Sequence, residues 1–278
     1  MVPTTGAGGA SGDWRSYDQV AADYERVHAP RTAQIGADLV TVAGVLPGER
    51  VLDIGTGTGV VAEAARQGAG DDTLVVGVDA SLSMLLEARR ARPSLRLAAA
   101  QVIDLPFRDA RFDVVTAAFV LTHFTKYDTA LHDILRVLTR GGRLAVSVWG
   151  EREDEFQRTW REQVEQVATK ELLRGAMARA MPWEDRFRDP KRLEETLREA
   201  GLRPVRVERR QYRFEMSLED YVISREVAAS GRFLRDMLGP RMWDSFRDRV
   251  RALFRERFPD PLVDFRDVLL AVGTKPVS

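Results

Sequence analysis

Residues 51–59 read Val-Leu-Asp-Ile-Gly-Thr-Gly-Thr-Gly, an apolar run that passes straight into three alternating glycines. Glycines allow a positive φ and let a ligand approach the backbone with no Cβ in the way. A helix beginning just after them presents unpaired N–H groups to a negatively charged ligand group. Asp79 ends the next apolar run, 20 residues after Gly59. A carboxylate at that place can accept hydrogen bonds from both hydroxyls of a ribose. Glycine loop and acid together indicate a nucleoside cofactor. A nicotinamide fingerprint has the spacing G-x-G-x-x-G, whereas this chain has G-x-G-x-G, with Asp53 inside the strand that precedes the loop.

Other chemistries are excluded by composition. The chain has no cysteine, so disulfides, thiolate nucleophiles and thiolate metal sites are ruled out. Its three histidines, His28, His123 and His132, are too few and too scattered for a multi-histidine metal centre, and no metal is expected. Lys plus Arg and Asp plus Glu are both 42, a zero formal charge. That balance argues against a partner held through its phosphates, so no nucleic acid is expected. Residues 1–12 are Gly-, Ala-, Ser- and Thr-rich without a basic residue, which predicts a disordered tail rather than a signal peptide. No apolar run reaches the roughly 18 residues of a membrane span, and a cytoplasmic location is the default expectation.

The elements that must position these groups alternate. Strands are expected at 51–54, 74–79, 95–100, 113–118 and 143–149, with helices between them, for example at 82–92 and 127–138. Two more strands are expected at 204–214 and 267–274. The pattern predicts an α/β, Rossmann-like fold: a seven-stranded, mostly parallel sheet with helices on both faces. Helical periodicity at Phe156, Trp160, Val164 and Val167, and again around Trp243, Phe246, Val250 and Phe254, predicts helices inserted after strands 5 and 6. They form a lid, or they simply widen the core. Gly239-Pro240 predicts a break between two helices. The expected organisation is a tail at 1–12, N-terminal helices covering the cofactor at 13–46, and a cofactor-binding core at 47–150. A helical lid insertion follows at 151–185, then a core helix and strand 6 at 186–215, a second lid at 216–262, and the last strand with a tail at 263–278.

The segment 51–59 resembles the first motif of class I S-adenosylmethionine-dependent methyltransferases, and Asp79 matches their ribose-binding acid. Downstream, Asp104-Leu105-Pro106-Phe107, Arg111-Phe112-Asp113-Val114-Val115 and the run 136–144 are similar to later motifs of the small-molecule branch. That branch holds the ubiquinone/menaquinone-type and natural-product tailoring methyltransferases. The resemblance covers about 17–149 well and 192–213 weakly. It implies S-adenosyl-L-methionine as cofactor, with Asp53, Gly55, Thr56 and Gly57 at its methionine and ribose part. Asp79 would hold the ribose, and Ala80 and Met84 would flank the adenine. Gln101 and Val102 stand where similar enzymes have Asp-Ala, so an uncharged amide replaces the usual acid at the adenine amino group. Ala118 and Phe119 match the place where the chain passes the sulfonium.

Tyr17 and Tyr24 match a tyrosine pair in the N-terminal helices of similar enzymes, and they serve the cofactor or plain helix packing. His123 is either a general base near the acceptor or a residue that fixes a loop. Trp149, Trp160, Trp183 and Trp243 are candidates for an apolar substrate pocket. The implied activity is methyl transfer to an O, N or C atom of a small, largely apolar metabolite, in secondary-metabolite tailoring. Alternatives are a methyltransferase-like cyclase that uses the cofactor structurally, and an RNA or protein methyltransferase. A homodimer is left open.

Overall fold

Val51, Leu52 and Ile54 are buried, and the reason is their place in the sheet: β1 (Arg50–Ile54) lies between two parallel neighbours with helices above and below. A strand covered on both faces reads as a continuous apolar run and not as an alternation. The computed structural model describes residues 17–70 and 73–277; the expected tail at 1–12 and Trp14 lie outside them. The chain opens with α1 (Ala21–Val27) and α2 (Ala29–Ala43), reaches β1, and continues through α3 (Val60–Ala69), β2 (Leu74–Asp79), α4 (Leu82–Ala91), β3 (Arg96–Ala99) and β4 (Phe112–Ala118). After a 3₁₀ turn at Leu121–His123 come α5 (Tyr127–Val137) and β5 (Leu138–Trp149). The second half holds α6 (Glu155–Glu165), α7 (Lys170–Ala180), α8 (Glu184–Phe187), α9 (Pro190–Glu199), β6 (Val205–Met216), α10 (Leu218–Val227), α11 (Ala229–Arg257) and β7 (Leu262–Thr274).

The seven strands form one sheet in the order β3-β2-β1-β4-β5-β7-β6. All neighbours pair in parallel except β7, which runs antiparallel to both β5 and β6. This is the Rossmann-like, mostly parallel sheet expected. One face packs on α5 and α9 through Leu131, Ile134, Leu193 and Leu197. The other packs on α2 and α3 through Ile35, Leu39, Val61 and Ala65. A third apolar cluster lies among the later helices and touches the sheet at Leu262 of β7 and Met216 of β6. It joins Trp160 and Val164 of α6 to Tyr221 of α10 and Trp243, Phe246 and Phe254 of α11, so the inserted helices have a core of their own.

Two strand boundaries differ most from the sequence expectation. β5 begins at Leu138, not at 143, because Gly141 and Gly142 form an irregularity through which pairing with Phe112 continues. Only glycine fits at 142: a Cβ there would stand 2.9 Å from the Asp113 carbonyl oxygen. The break expected at Gly239-Pro240 is present: α11 consists of two helical segments that meet at a kink at Gly239, whose φ of 69° and ψ of 170° are non-helical. The second boundary is that of β7, which begins at Leu262, not at 267. Its pairing with β5 stops at Trp149↔Val268, while its pairing with β6 continues to Met216↔Leu262. The N-terminal half of β7 therefore overhangs the carboxyl edge of β5, the edge where ligands bind in open α/β sheets.

Candidate functional site

The strand β1 delivers its glycine loop to that carboxyl edge. Gly55, Gly57 and Gly59 all have positive φ, 62°, 54° and 89°. At Gly55 a Cβ would come 2.5 Å from Cγ2 of Val120, so the loop presses directly on the turn after β4. At Gly57 a Cβ would meet nothing within 4 Å, because that glycine faces open space. Asp79 ends β2 beside it. One of its carboxylate oxygens accepts from Gly57 N at 2.8 Å and the other from Ser81 N at 2.9 Å. Each oxygen keeps a second lone pair. Burial raises the Asp79 carboxyl above its ordinary range, against the lowering effect of the backbone donors.

Asp53 has a different place from the one expected. It is 1% exposed, and its two oxygens accept from the hydroxyls of Thr56 at 2.6 Å and Thr116 at 2.7 Å. Both Asp53 and the Thr56 side chain are thus turned beneath the loop, outside the cavity lining, and tie the loop to β4. Burial pushes the Asp53 carboxyl up to about 6, with the two threonine hydroxyls opposing the shift.

Above the loop lies a cavity of about 720 Å³, within the range of small-molecule sites. Gly55, Gly57, Asp79, Ala80 and Met84 line one end, with Gln101 and Val102 beside them. Ser81 caps α4 by accepting from Met84 N at 3.2 Å, and its hydroxyl donates to Asp18 at 2.5 Å, which draws the N-terminal segment over this end. Tyr17 and Tyr24 face the cavity from that segment, their rings edge to face at 6.1 Å.

Ala118 and Phe119 line the middle. Phe119 has a φ of 55°, a left-handed conformation rare for a bulky side chain and costing about 1–3 kcal/mol. Its ring stacks on Trp149 with centroids 4.0 Å apart, and this flat apolar wall offsets that strain. Trp160 closes the wall from α6. The other two tryptophans are not in the lining. Trp183 donates through Nε1 to the Phe124 carbonyl at 2.7 Å and packs edge-on against Tyr127, on the sheet side. Trp243 is buried in the core of the inserted helices, stacked on Phe246 at 5.6 Å. Helical spacing alone gave no means of telling a core-facing tryptophan from a cavity-facing one.

His123 stands on the cavity wall in the 3₁₀ turn. Its Nδ1 lies 3.0 Å from the Ala180 carbonyl of α7, so Nδ1 carries the proton and donates. The Nε2 is then the acceptor, with the Tyr17 hydroxyl 3.5 Å away. Arg232 of α11 lies over the Tyr17 ring, 4.1 Å from its centroid.

Several charged or titratable lining residues had no assigned role at the sequence level, among them His28, Arg31, Arg225 and Arg266. His28 stacks on Tyr24 at 4.7 Å, and burial next to three arginines holds it well below the usual imidazole range, so it is neutral. The sequence carries one signal for this cluster, the charged run Asp264-Phe265-Arg266-Asp267 beside an apolar strand.

A family model described as a methyltransferase domain matches residues 52–146. A demethylmenaquinone methyltransferase from Renibacterium salmoninarum is 41% identical over 109 residues, 39% of this chain and 45% of the relative. The chain thus spans about half the length of the curated relatives it matches. Among solved structures, phosphoethanolamine N-methyltransferase 2 of Haemonchus contortus bound to S-adenosyl-L-methionine covers 98% of this chain and 61% of its own, with TM-score 0.58 and 19% identity. The [4+2]-cyclase SpnF covers 95% of each chain, with TM-score 0.58 and 20% identity. These two likenesses concern the fold, and the fold does not fix the reaction.

Proposed function

From the premise that this chain is built on a class I S-adenosylmethionine-dependent methyltransferase domain, we propose that the protein transfers a methyl group from that cofactor to a small, largely apolar molecule. One observation carries the reading. A single cavity is lined both by the glycine loop with Asp79 and by the stacked Phe119–Trp149 wall. The groups present fit the cofactor: Gly57 is open to the cavity, Asp79 has lone pairs to accept two hydroxyls, and Met84 and Gln101 line the same cavity and would flank the adenine.

When bound, the cofactor supplies a methyl on a positively charged sulfur, so the C–S electron pair returns to sulfur as the acceptor's lone pair takes the carbon. What remains for the protein is alignment, which contributes roughly 7–11 kcal/mol in such bimolecular steps. Phe119 and Trp149 offer a flat acceptor one defined plane. Tyr17, in contact with Arg232 and His123, lines the same cavity. His123 holds the turn after β4 to α7 through its Nδ1, which fixes the cavity wall beside Tyr17. The acceptor itself is selected by the helices of 151–262, which lie outside the family match. Quinone-like rings and secondary metabolites both suit the aromatic wall, and the low overlap with the quinone methyltransferases leaves the choice to those helices.

The test is transfer of labelled methyl from S-adenosylmethionine to a panel of phenols, enols and quinols, with S-adenosylhomocysteine release as a second readout. Labelled product supports the reading. Tight S-adenosylhomocysteine binding with no methylated product from any acceptor would favour a cyclase-type use of the cofactor, and no binding at all would overturn both.

A further inference from the structure

The overhang of β7 places Arg266 above the carboxyl edge of β5, with its guanidinium carbon 5.7 Å from the Trp149 ring centroid. Arg266 is 8% exposed. Its Nε donates to Asp264 at 2.8 Å, but its buried Nη2 has no hydrogen-bond partner among the described residues. Arg225 of α10 reaches the same part of the cavity. Among the described residues it makes no ion pair within 4 Å, its buried Nε lacks an acceptor, and its one defined contact is the Tyr221 ring at 5.6 Å. The hydroxyl of the fully buried Tyr221 is likewise without a partner among the described residues.

A third arginine in the cluster is already satisfied. Arg31 donates to Asp264 at 2.8 Å, to the Val27 carbonyl at 3.0 Å, and to Nδ1 of His28 at 2.9 Å. Arg31 and Arg266 both bond to the one carboxylate Asp264, and Arg225 bonds to none among the described residues. Asp154 spends its two oxygens on the backbone N–H groups of Gln157 and Phe265, and Asp267, also in the lining, accepts from Arg152 N through Oδ2 and keeps Oδ1 without a hydrogen-bond partner among the described residues. Buried charged donors without acceptors are costly, and proteins keep them where a ligand completes them. Guanidinium forks match carboxylate and phosphate oxygens in particular.

Resting on the methyltransferase reading, we propose that the acceptor carries an acidic oxygen group, a carboxylate or phosphate, held by Arg225 and Arg266 while its flat apolar body lies against Trp149. The cofactor's own carboxylate is the other source of that chemistry, and the topology disfavours it. Four strand spacings, roughly 19 Å, separate β2 with its ribose acid from β7. The methionyl chain extends only five bonds, roughly 7 Å, beyond the ribose.

The probes are 2-naphthoate, 2-naphthyl phosphate and the neutral 2-naphthamide, titrated into protein saturated with S-adenosylhomocysteine. We expect at least one acidic probe to bind about tenfold or more tightly than the amide, and Arg225→Gln to remove that preference. Arg225 has no hydrogen bond to lose, so this variant should fold; Arg266→Lys, which keeps the charge but loses the fork, should weaken the same probe. Equal binding of all three probes would overturn the proposal. So would displacement of S-adenosylhomocysteine by the acidic probe, or a matching loss of S-adenosylhomocysteine affinity in Arg225→Gln, either of which would assign the arginines to the cofactor. Failure of the parent protein to bind S-adenosylhomocysteine would instead strike the methyltransferase reading itself.

Discussion

The Nδ1 of His123 donates to the Ala180 carbonyl, 57 residues along the chain, and so fastens the turn after β4 to the end of α7. This bond fixes the tautomer and leaves Nε2 toward Tyr17. It also explains why a histidine at the cavity wall need not be a base. We expect His123→Asn to cost about 0.5–1.5 kcal/mol of stability, the worth of one hydrogen bond, and to lower the single-turnover rate per folded molecule less than about tenfold. The pH profile should be unaltered. A loss of about 10²–10⁴-fold together with disappearance of the acidic limb would make His123 the general base.

Asp79→Asn keeps the side chain's shape and removes its charge. Charge-assisted hydrogen bonds contribute about 1.5–3 kcal/mol, so S-adenosylhomocysteine affinity should fall roughly ten- to 150-fold by calorimetric titration. Unchanged affinity in a folded variant would mean that the ribose lies elsewhere.

Two glycines of one loop should behave differently. Gly57→Ala places a methyl in the cavity and strains a positive φ, about 1–2 kcal/mol, so the variant should fold and bind S-adenosylhomocysteine weakly. Gly55→Ala drives the same methyl into Val120 and should cost more in stability. Thermal unfolding and titration of both variants compare the two effects.

Asp53 sets a pH dependence of stability. Its carboxyl is raised in the folded protein to about 6 from an ordinary value of 3.8, mainly by burial. The folded state therefore binds the proton more tightly than the unfolded one. Its contribution is fully present below about pH 4 and is lost as pH rises through about 6, with an upper size of about 3 kcal/mol. Other acids titrate in the same window, so the measurement is the difference between parent and Asp53→Asn across pH 4 to 7. That difference should shift in the variant's favour as pH rises; a flat difference would refute the assignment.

Trp243→Ala should cost about 3–5 kcal/mol, as for other large buried aromatics, while leaving S-adenosylhomocysteine affinity intact. Trp149→Ala should do the reverse to function: it removes half of the stacked wall that faces the cavity. Unfolding curves and probe titrations on the pair separate packing from binding.

The sequence by itself determined the parts whose physics is local. A glycine loop between an apolar strand and a helix, followed by an acid at the next strand end, is contiguous chemistry, and it made legible the sheet type and a group of residues that line one cavity. Gly55, Gly57, Asp79, Met84 and Gln101 all line it. The tertiary structure decided everything that depends on which way a side chain points across distant elements. Asp53 sits in the same motif, yet Thr116, 63 residues away, draws it under the loop. Trp160 and Trp243 share a helical apolar pattern and the same small core, but only Trp160 reaches the cavity as well. Arg225 and Arg266 meet because antiparallel β7 outruns β5 and its overhang is held by β6, a register set by backbone pairing between strands far apart in the chain. Periodicity reports that a residue is buried; only packing reports against what.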